Sequence, residues 1–109
     1  MKRQGAQLIT YPSAFTVPTG KAHWEILLRA RAIETQSYVI AAAQAGHHNE
    51  RRVTYGHSIV ISPWGDVIAE LGGEFDGPEI ATATIDLSMV ERIRREVPLV
   101  RRTDVYPEL

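Results

Sequence analysis

An uninterrupted apolar run, from Tyr38 to Ala43, places the strongest constraint on how this chain can fold. A strand with one solvated face alternates apolar and polar residues, whereas this run is apolar at every position. It therefore predicts a strand that is covered on both faces. Such a strand needs layers packed above and below it.

The segment from Thr19 to Gln36 predicts the main helix. Thr19 is a residue type that can cap a helix N-terminus. The apolar residues inside the segment recur at helical spacing and form a wide stripe. They are Trp24, Ile26, Leu27, Leu28, Ala30, Ala32 and Ile33.

A second helix is predicted near the end of the chain. It starts at Asp86 or Ser88, because both can cap a helix and Ser88 with Glu91 matches a capping box. It ends near Glu96, since Pro98 follows.

Short strands, turns and loops account for most of the remaining sequence. A Pro-Trp-Gly turn at residues 63–65 predicts that its two flanking strands form a hairpin. The predicted strands are Gln7 to Tyr11, His57 to Ser62, Asp66 to Leu71 and Ile80 to Ile85. The segment from Gln44 to Gly56 is predicted to be a polar loop, and Lys2 to Gln4 to be the end of a helix.

Composition excludes several function classes. The 109 residues suit one domain, and a net charge of −1 provides no field for nucleic acid or anionic membranes. No apolar run approaches the ~18 residues that span a bilayer. We expect a cytoplasmic protein, with the mitochondrion as the alternative. The absence of cysteine excludes disulfides, thiolate zinc sites and a thiol nucleophile within this chain.

The loop from Tyr11 to Gly20 is the best site candidate, because a strand end followed by a helix N-terminus presents free amides to an anion. The alternative is a plain loop with Phe15 in the core. Adjacent His47 and His48 lack the spacing of metal ligands, so no metal or cofactor is expected. No Ser/His/Asp spacing identifies a triad, so no catalytic residue is assigned.

Several motifs together resemble the second half of a nitrilase-superfamily carbon-nitrogen hydrolase. The resemblance runs from about Lys2 to Tyr106 and is closest to the branch with deaminated glutathione amidase and omega-amidase. The motifs are Tyr11-Pro12-Ser13-Ala14-Phe15, His23-Trp24-Glu25, Arg29-Ala30-Arg31-Ala32-Ile33-Glu34, Tyr55-Gly56-His57-Ser58, Pro63-Trp64-Gly65, Val97-Pro98, Arg101-Arg102 and Asp104-Val105-Tyr106.

The resemblance implies an αββα sandwich of the nitrilase type, of which residues 1–109 form the C-terminal half, with about five strands and two main helices. It implies a homodimer formed through the helix from Ala22 to Gln36 and through an extended tail, residues 99–109. It also implies that Phe15 and Thr19 contact the acyl group of a small amide-bearing carboxylate. Tyr11 and Ser13 are predicted to bind substrate beside them.

The family's catalytic glutamate, lysine and cysteine all correspond to positions before Met1. We therefore expect a fragment of an amidase whose cysteine nucleophile lies outside this chain, and no turnover by the chain alone. The alternative is an inactive truncated protein that acts as a binding or dimerisation module. A third interpretation is a small α+β binding domain of unrelated origin.

Overall fold

The computed structural model of the protein describes residues 5–74 and 77–99. The helical elements are α1 (Val17–Thr19), a π-helical segment (Gly20–Trp24), α2 (Glu25–Thr35) and α3 (Leu87–Glu96). The strands are β1 (Leu8–Thr10), β2 (Tyr38–Ala41), β3 (Ala45–His47), β4 (Val53–Tyr55), β5 (Ile59–Ile61) and β6 (Val67–Glu70). The predicted α+β class is confirmed. No helix in these ranges is long and apolar enough to cross a membrane.

The main sheet has four strands in the order β1-β2-β5-β6. β1 and β2 are parallel, with Ile9 opposite Val39, while β2, β5 and β6 pair antiparallel. The predicted hairpin of β5 and β6 is confirmed, and its turn is closed by the Gly65 amide, which donates to the Ser62 carbonyl at 2.9 Å. A register irregularity lies between Val60 and Ile61.

The core lies between this sheet and α2. Side chains at alternate positions of each strand lie on the same face of the sheet, and one of these two faces packs against the helix. The buried cluster consists of Trp24, Leu28, Ala32, Val39, Ala41, Ile59 and Ile61. One helix stripe and one sheet face thus account for the cluster, which follows the apolar pattern of the sequence.

The opposite sheet face is only partly covered within the described ranges. Leu8 is 45% exposed, and Ile40 and Val60 are half-buried. Tyr38 on the same face is buried, and its hydroxyl hydrogen-bonds to Asp86 at the start of α3. The predicted burial of β2 on both faces is therefore confirmed at Tyr38 and Val39, but it is incomplete at Ile40.

The main helix begins earlier than predicted, and Thr19 is not its cap. Thr16 has the extended backbone of an N-cap (φ −67°, ψ 159°), and Pro18 lies in the first turn. Proline favours this position because its fixed φ suits the helix and its missing amide would be unpaired there. The α-helical backbone then widens into the π-helical segment before α2 begins.

The end of α2 and the start of α3 each have a capping residue. Gln36 closes α2 in the left-handed conformation at φ 51°. α3 is capped by Asp86, whose carboxylate accepts from the Ser88 amide at 3.0 Å, so Asp86 and not Ser88 is the capping residue. Its predicted end at Glu96 is confirmed.

Two predictions about extended structure are wrong. The polar loop from Gln44 to Gly56 contains a hairpin, β3–β4, in which Gly46 pairs with Thr54. Conversely, residues 80–85 form no strand, and Ile80 is 89% exposed. Alternation of apolar residues produces a strand only where the segment pairs with another strand, and this segment belongs to neither sheet of the described residues.

Two further predictions lie outside the described residues. These are the helix end at Lys2 to Gln4 and, beyond Leu99, the tail that the resemblance places at residues 99–109.

Candidate active site

A cavity of about 570 Å³ lies where the chain leaves the parallel strands β1 and β2. The two segments remain paired beyond the strands, since the Ser13 amide donates to Ala42 and the Gln44 amide to Ser13, both at 3.0 Å. Ligands of open α/β sheets commonly bind at such carboxyl ends. The lining residues are Pro12, Ser13, Ala42, Ala43, Gln44, Ala45, His47, His48, Ser58, Leu71, Gly72, Glu74, Gly77, Pro78 and Glu79. We call this space the strand-end cavity.

Two further cavities adjoin it on either side of the β3–β4 hairpin. One, of about 580 Å³, shares His47 and Glu74 with the strand-end cavity and also contains Lys21 and His57. The other, of about 400 Å³, is lined by Ala14, Gln44, His48, Asn49 and Arg52. Lys21 and Arg52 line the two adjoining cavities, Glu74 and Glu79 line the strand-end cavity, and hydrogen-bonding side chains are present in all three.

The structure separates the four residues predicted to bind substrate. Ser13 lines the strand-end cavity, and its hydroxyl donates to the Tyr11 carbonyl at 3.1 Å. Tyr11 and Phe15 are half-buried and pack against the core cluster. Thr19 is exposed, and its hydroxyl accepts a hydrogen bond from Thr16 at 3.1 Å. Only Ser13 among them lines a described cavity.

Phe15 is anchored from two sides. Its ring meets Trp24 edge to face, with 4.9 Å between centroids, and its carbonyl accepts from the Tyr55 amide at 2.8 Å. The Trp24 indole in turn donates to the His57 carbonyl at 2.8 Å. The candidate loop is therefore held both by Trp24 in the π-helical segment and by Tyr55 in β4.

His57 adopts a left-handed backbone with φ 59°. Its ring stacks on Tyr55, with centroids 4.0 Å apart, and its Nδ1 lies 3.8 Å from a carboxylate oxygen of Glu70. Gly73 packs so closely that an added Cβ would lie 2.7 Å from the His57 Nε2. These contacts give His57 a structural role.

The described residues form no set of three or more His, Asp or Glu side chains able to hold a metal ion. Serine and threonine hydroxyls are present near the cavity, but the chain contains no thiol. The arrangement can therefore bind and orient a ligand through hydrogen bonds and cations. Formation of a thioester with an acyl group would require a cysteine from outside these residues.

Sequence reasoning missed the cavity residues contributed by the segment after β2. Gln44, His47 and His48 were placed in a solvated loop, whereas they line the strand-end cavity. A signal was present, because polar residues directly after a buried strand often lie at its carboxyl end, where ligands bind.

The model of the carbon-nitrogen hydrolase family matches residues 1–95. The chain belongs to the carbon-nitrogen hydrolase family. This membership places the strand-end cavity in a hydrolase domain and confirms the resemblance found in the sequence.

Sequence identity to individual proteins supports the family assignment. The chain is 51% identical over 109 residues to "Probable hydrolase nit2" of Schizosaccharomyces pombe, covering all of this chain and 40% of that protein. It is 52% identical over 111 residues to the human deaminated glutathione amidase, covering all of this chain and 33% of that protein. The chain thus spans between a third and two fifths of the length of these relatives.

Solved structures of the family have the same fold. The C. elegans NitFhit protein superimposes with a TM-score of 0.86 at 52% identity, covering 96% of this chain and 25% of that one. Saccharomyces cerevisiae Nit3, a member of branch 10 of the nitrilase superfamily, gives 0.83 at 40% identity, covering 93% of this chain and 36% of that one. The carbon-nitrogen hydrolase chain described here therefore has the fold of part of a nitrilase-superfamily domain.

Proposed function

We propose that this chain forms part of the catalytic domain of an amidase that hydrolyses the amide of a small carboxylate, of the deaminated glutathione or omega-amide type. The observation that supports it best is the strand-end cavity, walled by Ser13, in a chain 52% identical to the human deaminated glutathione amidase. A cavity with polar groups on an anchored loop is suited to orienting an amide for attack.

In this proposal the chemical step needs groups from outside the chain. A cysteine thiolate attacks the amide carbon and expels the amine, a glutamate transfers protons and a lysine stabilises the oxyanion, after which water hydrolyses the thioester. This chain contributes the wall of the acyl pocket. Phe15 and Thr19 lie on the same loop as Ser13, and in the proposal they contact the acyl group once residues from outside the chain complete the pocket, with Ser13 and Tyr11 beside them.

A hybrid enzyme tests the proposal. In this hybrid, residues 1–109 replace the matching part of the human deaminated glutathione amidase, so that the human portion supplies the remainder of the domain. We expect it to hydrolyse deaminated glutathione. Phe15→Ala and Thr19→Ala should each lower kcat/KM by roughly tenfold, because loss of a contact to the acyl group weakens binding of the transition state by the enzyme.

Thr82→Ala is the matched control for Thr19→Ala, since Thr82 is also exposed but lies outside the loop from Tyr11 to Gly20. It should leave kcat/KM unchanged. An inactive hybrid that is folded would contradict the amidase proposal. An active hybrid with unaltered kinetics in both site variants would contradict only the acyl-pocket assignment.

The second candidate is a dimerisation role, which one surface favours. Two isoleucines are exposed on α2: Ile26, which is 72% exposed, and Ile33. Trp64 is also exposed, and it lies next to Gly65 in the turn that approaches Ile33. Exposed apolar patches of this kind mark interaction surfaces. We propose that the helix from Ala22 to Gln36 forms a homodimer contact.

Sedimentation equilibrium of the hybrid tests the dimer. Ile26→Asp should shift it toward monomer, because burial of an unpaired carboxylate in an apolar contact is unfavourable. Ile80→Asp, at an exposed isoleucine away from α2, should not. Equal masses for both variants would contradict the dimer contact.

A further inference from the structure

The tip of the β3–β4 hairpin is a rigid turn. The Asn49 side-chain oxygen accepts from the amides of Arg51 and Arg52, both at 2.8 Å. The His48 amide donates to the Arg52 carbonyl at 2.9 Å and closes the hairpin. An asparagine that binds the amides following it holds a turn in one conformation. The backbone that carries Arg52 is therefore fixed.

The hairpin is also attached to the candidate loop. The ring of His48 hydrogen-bonds at 2.7 Å to the hydroxyl of Thr54, which is buried. Thr54 forms a β-bridge with Thr16, inside the loop from Tyr11 to Gly20. The position of the hairpin relative to the substrate-binding loop is thus set by hydrogen bonds.

The cavity of about 400 Å³ extends the strand-end cavity toward this tip, since the two share Gln44 and His48. Its lining contains Arg52 and no carboxylate, whereas Glu74 and Glu79 line the strand-end cavity. Within the described residues, an ion pair joins Arg31 to Glu34 and the His57 ring lies 3.8 Å from the Glu70 carboxylate, and neither contact involves Arg52. The two cavities with shared lining residues are neighbours and are together called the groove, and a guanidinium is available at the end of the groove that Arg52 lines.

We propose that Arg52 binds a carboxylate of the substrate that lies remote from the scissile amide. An arginine fork matches the two oxygens of a carboxylate, and a fixed backbone reduces the entropy lost on binding. The inference rests on the proposed amidase function and specifies its substrate class. The groove selects extended amides whose far end is anionic over short or neutral amides.

Two substrates of equal length test this selection in the hybrid enzyme. One is deaminated glutathione, whose leaving amine ends in a carboxylate, and the other is the same compound with that carboxylate converted to a carboxamide. Arg52→Gln should lower kcat/KM for the carboxylate substrate about tenfold, the effect of one lost charge-assisted hydrogen bond near solvent. It should leave kcat/KM for the carboxamide unchanged. Arg52→Lys should recover part of the loss, because it restores the charge without the fork.

Arg51→Gln is the matched control, because Arg51 lies in the same turn but lines none of the described cavities. Arg51→Gln should leave kcat/KM unchanged for both substrates. Equal losses on both substrates in Arg52→Gln would overturn the carboxylate contact, as would an Arg51→Gln variant with the same selectivity change. A folded wild-type hybrid that cleaves neither substrate would overturn the amidase function itself, which distinguishes the two failures.

Discussion

Replacement of Trp24 by phenylalanine should destabilise the domain through loss of one hydrogen bond and creation of one void. Trp24 is 1% exposed, and its indole N–H donates to the His57 carbonyl at 2.8 Å. Phenylalanine removes the donor and leaves that carbonyl unpaired beside a backbone held at φ 59°. The lost hydrogen bond costs about 1 kcal/mol. The smaller ring, which also loses contact with Phe15, adds a cavity term, so that the total is about 2–3 kcal/mol.

Urea unfolding of the hybrid enzyme followed by far-ultraviolet circular dichroism measures this loss. Tryptophan fluorescence is unsuitable, because the substitution itself changes the signal. Ile80→Val is the control, since Ile80 is 89% exposed and its substitution should cost less than about 0.5 kcal/mol. If Trp24→Phe unfolded at the same urea concentration as Ile80→Val, the role assigned to the indole hydrogen bond would be refuted.

Two further predictions concern the backbone and a helix cap. Gly56→Ala should destabilise the domain by at least about 2 kcal/mol, because the residue has φ 71° and a new Cβ would lie 2.6 Å from that of Ala45. Gly72→Ala, where a Cβ would have no neighbour within 4 Å, should be close to neutral in the same urea titration; equal costs would contradict the explanation. For α3, hydrogen bonds from the Ser88 hydroxyl and amide lower the pKa of Asp86. The ionised cap therefore stabilises the folded state fully above the unfolded-state pKa of Asp86, and this stabilisation is lost as the pH falls through the folded-state pKa. Thermal melts should show the gap between wild type and Asp86→Ala narrowing on acidification, and a gap that stays constant would refute the cap.

Local patterns predicted the elements that carry a clear apolar period, turn or cap. The apolar stripe of α2, the strand at Tyr38, the β5–β6 hairpin and the Asp86 cap all follow from spacing and turn chemistry. Two other elements were mispredicted. The alternation at residues 80–85 forms no strand, because strand pairing depends on neighbours that no local pattern specifies, and Thr16 replaces Thr19 at the helix start because Pro18 favours the first turn.

The candidate site could be predicted only in part for the same reason. The loop from Tyr11 to Gly20 was identified from its position between a strand and a helix, and Ser13 lines the cavity beyond that strand. The inward position of Phe15 depends on Trp24, nine residues later, and on the Tyr55 amide across the hairpin. The contributions of Gln44, His48 and Arg52 depend on the β3–β4 pairing, which no local pattern in that polar segment specified.

The most direct test of the account compares two preparations in one assay for the amine released from deaminated glutathione. The first is the purified 109-residue chain, and the second is the hybrid that also contains the human portion of the domain. We predict amine release by the hybrid and none by the chain alone, because the chain contains no thiol. Amine release by the chain alone, free of any contaminating amidase, would contradict it.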